Sequence, residues 1–308
     1  MPTRALQQKL EILRTANLGQ IPGLVHGFST RVGGFSRAYG GDALNLGFTK
    51  DDSRAAVERN RAAFLCKLLS DGNDSSRSTE ALSWEDRAVK GKWPLITLRQ
   101  IHSDIIHLVE APPESPLVGD GIITSTPGLL LAVQTADCLP IILADPRRRA
   151  IGIFHAGWRG TVKRIIEKGV GQMRQLFGTQ PRDLLAAIGP GIHGCCYEVG
   201  AEVHEKFESQ FSYAPKLFRE VKESDPVREK YPLLFLTARA PGHGELPKKI
   251  FLDLLEANRQ QLLAVGVLAK NIEASPLCTS CRTDWLFSYR GEKGAVGRMM
   301  AVVGLRAV

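Results

Sequence analysis

Cysteine and histidine are both scarce in this chain, six and seven among 308 residues. Six thiols are too few to staple a secreted disulfide scaffold. Reduced cysteines are the default of the cytosol, so a cytoplasmic location is expected. No run of about 18 apolar residues occurs, which leaves no candidate membrane helix. Residues Met1 to Leu10 hold no apolar stretch of the kind a secretory signal needs. Zinc-finger spacing, aromatic-basic runs and helix-turn-helix signatures are also missing. Nucleic acid is therefore not an expected partner, despite a formal net charge of +8. That charge is spread along the chain. Its densest run, Arg147-Arg148-Arg149, follows Asp145-Pro146 and reads as a solvated turn.

Apolar residues make up 44% of the sequence, enough for a sizeable core. The patterning mixes two periods. Leu95–Leu98, Ile105–Val109, Leu129–Gln134, Leu139–Ala144, Ala150–Phe154 and Leu184–Ile188 read as strands, and the fourth and fifth as a hairpin around Asp145-Pro146. Val162, Ile165, Ile166, Val170, Met173, Leu176 and Phe177 recur every three or four residues, which predicts a helix with Thr161 as its N-cap. A second helix is predicted over Phe251–Val265, closed by Gly266. Two more strands are predicted over Trp285–Arg290 and Arg298–Leu305. The expected class is α/β or mixed α+β, a single domain over residues 1–308. Two polar stretches near 70–92 and 213–249 read as surface insertions.

Three residues sit where predicted strands end in turns: His102, Cys138 and His155. One thiolate and two imidazoles make a good zinc set, with a fourth position left for water or substrate. The same trio suits a cysteine nucleophile with a histidine base. After His155, Ala156-Gly157-Trp158-Arg159-Gly160 leads toward a helix, so an anion is expected there, with Arg159 as a forked donor. Asp137, beside Cys138, is a candidate for a group that orients a metal ligand, for a general base, or simply for a turn residue. Cys278-Thr279-Ser280-Cys281 has zinc-ligand spacing and Cys195-Cys196 are adjacent, but one CxxC alone is weak evidence.

Phe28-Ser29-Thr30-Arg31-Val32-Gly33-Gly34, Leu44-Asn45-Leu46-Gly47, Gln100-Ile101-His102, Asp120-Gly121, Thr135-Ala136-Asp137-Cys138-Leu139-Pro140, His155-Ala156-Gly157-Trp158-Arg159-Gly160, Cys196-Tyr197-Glu198-Val199 and Phe287-Ser288-Tyr289-Arg290 occur in one order. In this the chain resembles the laccase-like polyphenol oxidase family, also called YfiH-like. The resemblance implies a layered αββα sandwich. It implies His102, Cys138 and His155 as metal ligands; these three and Asp137 are the candidate catalytic residues. Zinc is the implied metal, with copper reported for laccase-type members. The implied activities are phosphorolysis of adenosine, inosine, guanosine and methylthioadenosine, and deamination of adenosine. A nucleoside and phosphate are then the small-molecule partners. Arg31, Asn45, Arg159, Gly160, Tyr289 and Arg290 are the substrate-binding candidates. Editing of UDP-linked muramyl amino acids in peptidoglycan precursors is the alternative, and polyphenol oxidation the third. Family members often carry Cys-Ile-Gly after Ile-Gly-Pro. Here Gly191-Ile192-His193 follows, so His193 is not carried over as a ligand.

Overall fold

The computed structural model describes residues 9–70, 93–222 and 248–307. The first expected insertion, apart from its first residue, and most of the second therefore lie outside the described residues. The chain divides into two compact units, residues 1–192 with 254–308, and residues 193–253. Among the described residues no helix is long and apolar enough to cross a membrane.

The first unit is built on two sheets. One runs in the order Ile12–Leu13, Leu24–Ser29, Met299–Leu305, Leu130–Thr135, Leu95–Ile96. The other runs Ile272–Ala274, Leu185–Ile188, Leu139–Asp145, Ala150–Ala156, Gly121–Thr124, Ile106–Leu108. Their central strands are continuous apolar runs because both faces are covered. Between the sheets, Leu131, Val133, Ala301 and Val303 meet Ile122, Ile142, Ile151 and Ile153 in one core. On the far face of the first sheet, Leu130, Ala132, Met300 and Val302 pack on Phe64, Leu65 and Leu68 of the helix Arg54–Ser70. On the far face of the second, Phe154 lies under the helix Ile165–Phe177. A Cβ on Gly169 of that helix would come within 2.5 Å of the ring. Helix, sheet, sheet and helix are thus stacked as the expected αββα sandwich. Each fully buried aliphatic side chain contributes about 1.5–3 kcal/mol.

The expected hairpin is present, with Leu139 paired to Ala156 and Asp145 to Ala150. Its turn is held by the Asp145 carboxylate, which accepts from the amides of Arg147 and Arg148. This register decides where the chemistry goes. Cys138 immediately precedes one strand and Gly157 immediately follows the other, so the two meet at one end of the sandwich.

Several expectations need correction. The helix predicted to start after Thr161 is two helices, Trp158–Val162 and Ile165–Phe177, broken at Arg164 with φ +64°. Thr161 is not a cap; its hydroxyl donates to the Gly157 carbonyl inside the first helix. Apolar spacing is the same for one helix or two, so the break is invisible to it. Phe251 and Leu252 belong to the strand Lys248–Leu252 of the second unit, paired with Phe218–Lys222 and Glu198–Val199, and the helix is Leu254–Ala264. Distant strand partners override the local helical spacing. Trp285–Arg290 is not a strand but a run of turns, closed by amides of Trp285 and Leu286 donating to the Arg282 carbonyl. Its apolar residues Leu286 and Phe287 are buried against Tyr39 and Met299 instead. Leu24–Ser29 and Val32–Ser36, where no element is expected, are both strands.

Candidate metal centre

His102, Cys138 and His155 come together. One donor atom from each lies within 4.8 Å of the others. The Cys138 Sγ is 3.8 Å from the His102 Nε2. The two imidazoles meet edge-on with ring centroids 4.9 Å apart. Around a tetrahedral zinc, with bonds of about 2.3 Å to sulfur and 2.05 Å to nitrogen, a sulfur and a nitrogen are separated by roughly 3.6 Å. The observed sulfur–nitrogen spacing fits that ion. His155 is buried and Cys138 half-buried, whereas His102 is exposed, so the open side of the donor set faces solvent.

The glycine after His155 has a steric cause. A Cβ on Gly157 would stand 2.8 Å from the Cys138 Sγ and 3.0 Å from the His102 Cδ2, within the donor set itself. Gly160 has a packing role: its Cβ would meet the Ser103 carbonyl at 3.0 Å.

A residue with no role expected from its sequence context organises the site. Asp120 is wholly buried. One of its oxygens accepts from the His155 Nδ1 at 2.7 Å and from the His102 amide at 3.1 Å. The other accepts from the Ser103 amide at 2.6 Å, the Ser103 hydroxyl at 2.7 Å and the Ile101 amide at 3.2 Å. One carboxylate therefore fixes His155 through its ring and His102 through its backbone, which is left-handed with φ +58°. His155 is left with Nε2 as its free donor, the carboxylate–histidine arrangement that supports metal ligands. The available signal was a lone acid between Gly119 and Gly121, just before an apolar strand. The loop is also tied to the first sheet by Gln100, which exchanges two hydrogen bonds with the backbone of Gln134.

These contacts set the charges. Burial raises the Asp120 carboxyl, but hydrogen bonds from His155 and Ser103 outweigh it and hold the group well below the usual carboxylate range. Burial likewise pushes the Cys138 thiol up, yet the charge of His155 and the hydrogen bond with His102 bring it down to about 6. His155 is lowered by burial and raised more strongly by Cys138 and Asp120, to about 9. With no ion bound, the pair is a thiolate facing an imidazolium.

The remaining candidates divide. Tyr289 and Arg290 are exposed, and the Arg290 amide donates at 2.7 Å to Asp137, the residue before Cys138. Arg159 is exposed on the five-residue helix Trp158–Val162, its guanidinium 4.4 Å from the Trp158 ring centre. Asn45 is buried with all four hydrogen-bonding positions filled, by Gly47 twice, Asp52 and Arg298. Arg31 donates to the Thr283 and Tyr39 carbonyls, pairs with Glu292 at 2.9 Å and stacks on Phe287. Asp137 is buried and accepts from Thr279 and Ser288 as well as Arg290. Of the other cysteines, Cys278 and Cys281 belong to the first unit and Cys195 and Cys196 to the second.

Residues 25–306 match the family described as multi-copper polyphenol oxidoreductase laccase. The chain is 36% identical over 301 residues to the purine nucleoside phosphorylase of Deinococcus radiodurans, covering 96% of this chain and 93% of that one. It is 34% identical over 205 residues to adenosine deaminase RL5 of an unknown prokaryotic organism, covering 64% and 69%. The solved structure of YfiH from Bacillus licheniformis aligns with a TM-score of 0.74 at 30% identity, over 96% of this chain and 97% of that one. On its motifs, its αββα layering and these matches, the chain belongs to the YfiH-like, laccase-related polyphenol oxidase family.

Proposed function

We propose that this chain is a zinc-dependent purine nucleoside enzyme of the cytoplasm that cleaves adenosine, inosine, guanosine and methylthioadenosine with phosphate and deaminates adenosine. The observation that carries the reading is the three-donor centre of His102, Cys138 and His155, open to solvent on the side of His102. The names of the relatives supply the substrate class. Zinc, when bound, supplies Lewis acidity and an activated water.

The protein's own groups do the rest. Asp120 orients the His155 ring through Nδ1, leaving Nε2 to face the ion, and fixes the backbone that presents His102. Cys138 is already deprotonated at neutral pH, so it meets a cation as a thiolate. Arg159 and Arg290 bind phosphate by charge-assisted hydrogen bonds, and the half-exposed ring of Tyr289 offers a flat face to a purine. Arg31 and Asn45 act behind this surface. Arg31 holds Glu292, which in turn accepts from the Ser288 amide next to Tyr289. A multi-copper oxidase centre needs many histidines, and the chain has seven in all.

The test is a substrate panel on protein of measured zinc content: the four nucleosides with phosphate, a UDP-linked muramyl amino acid and a phenol. Release of free base and ribose 1-phosphate, lost in chelator and restored by zinc, is the expected result. Turnover of the muramyl substrate alone, or of the phenol alone, would overturn the reading. So would full nucleoside cleavage in chelator with a substrate-derived mass on Cys138.

A further inference from the structure

Asp137 precedes the ligand Cys138 and has φ +97°, a conformation that residues with a Cβ rarely adopt. Such a backbone persists only where its surroundings over-determine it. Here they do. Thr279 and Ser288 donate their hydroxyls to one carboxylate oxygen at 2.6 and 2.7 Å, and the Arg290 amide donates to the other at 2.7 Å. The main-chain carbonyl of Asp137 accepts from the Ile192 amide at 2.8 Å. Ser288 then accepts from the Gly291 amide at 3.0 Å, so the Asp137 bonds extend through the turn that carries Tyr289 and Arg290. A general base must reach substrate with a free oxygen. Asp137 is 6% exposed, and both its oxygens are engaged by internal donors.

We infer that Asp137 is a positioning residue that couples the Cys138 turn to the Ser288–Gly291 turn, so that filling the metal centre orders the backbone beneath Tyr289 and Arg290. What those two side chains hold rests on the purine nucleoside reading; the coupling does not. Coupling is reciprocal, so loosening the second turn must also weaken the grip of the first on its ion.

Hydrogen exchange of the full chain, read by mass spectrometry with zinc or with chelator, tests it. In the wild type, zinc slows exchange in the peptide spanning 288–291. In Asp137→Asn, the single accepting oxygen serves either the Arg290 N–H or the Thr279 and Ser288 hydroxyls, not both, so one side of the link is broken. Exchange there is fast and indifferent to zinc, and the zinc concentration that protects Cys138 from alkylation rises about tenfold. Thr279→Val with Ser288→Ala keeps the carboxylate and removes two donors. It raises the KM for phosphate while kcat stays within about threefold, and it carries the test if the Asn variant does not fold. Wild-type exchange at 288–291 that ignores zinc would overturn the inference. So would an Asp137→Asn enzyme that loses kcat and one limb of its pH profile at constant KM, the signature of a base. If the wild type cleaves no nucleoside, the function reading falls and the exchange result still decides the coupling.

Discussion

Replacing Asp120 by Asn exchanges one oxygen for an NH2 group and keeps the shape, so its effect isolates what the carboxylate does for the metal centre. Five donors converge on two oxygens: the His155 ring, three successive amides of residues 101–103 and the Ser103 hydroxyl. An amide has one accepting oxygen. Whichever way it turns, its NH2 group faces donors, either His155 and the His102 amide or the Ser103 and Ile101 groups. Losing a single outer partner of a ligand histidine lowers metal affinity by about 10–100-fold, or roughly 1.4–2.7 kcal/mol. Asp120 supports two ligands at once, so the loss belongs at the upper end, about 100-fold or more. The assay should be specific to this centre. Cys138 is alkylated at a series of buffered free-zinc concentrations, and protection is read on the peptide that contains it. A midpoint in Asp120→Asn within twofold of the wild type would refute the reasoning, because the convergence of hydrogen bonds would then carry no binding energy.

Gly157→Ala is expected to lose zinc at Cys138 without lowering the melting temperature by more than a few degrees, since the new methyl would stand 2.8 Å from the Sγ rather than in the core; retained protection by zinc would contradict this. Arg159→Ala should raise the KM for phosphate about tenfold or more and that for nucleoside much less, as for loss of a charge-assisted hydrogen bond; equal KM values for phosphate in the two enzymes would reject the role. Zinc uptake at pH 7 should release about one proton, because Cys138 is already a thiolate while His155, raised to about 9, must shed its proton to bind. Calorimetry in buffers of different ionisation enthalpy would show it, and zero protons would show a thiolate beside an already neutral imidazole, so that His155 is not raised. His26 is buried, accepts from the Thr15 amide at 3.1 Å and is held down to about 4 by burial, then by Arg14. Its contribution to stability is full above the ordinary value of 6.5 and is lost as the pH falls toward 4, up to about 3 kcal/mol. The acid loss in melting temperature over that window should shrink in His26→Gln, and an unchanged slope would place the acid sensitivity elsewhere.

What was legible in the sequence follows from what each signal encodes. The paired runs Leu139–Asp145 and Ala150–Ala156 are apolar but for Asp145 and His155 and close on an Asp-Pro turn, so strand type, pairing and the meeting of Cys138 with His155 could be read locally. Local period also finds where apolar residues recur, but not where a helix breaks, hence the single helix expected across Arg164. It fails again at Lys248–Leu252, whose state is set by partners at 198–199 and 218–222. The donor trio was legible because zinc chemistry restricts it to few residue types, and the chain has few of them.

Asp120 was not legible as a supporting carboxylate, and Asp137 only as one of three open roles, and the reason is physical. Aspartate is common before turns, and nothing in Asp120-Gly121 or Asp137-Cys138 says what meets the side chain. Asp120 works through a loop 17 to 19 residues away and a histidine 35 away, and Asp137 through residues 142 to 153 positions later. Both buried carboxylates have low-dielectric surroundings in which an unfilled oxygen is costly, so each must collect donors from whatever the fold brings near. Those donors are amides and hydroxyls, which every sequence has in excess. A ligand set can therefore be inferred from its rare chemistry. The groups that aim it are known only once the αββα packing has brought residues 101–103, 155, 279 and 288–290 together around the two acids.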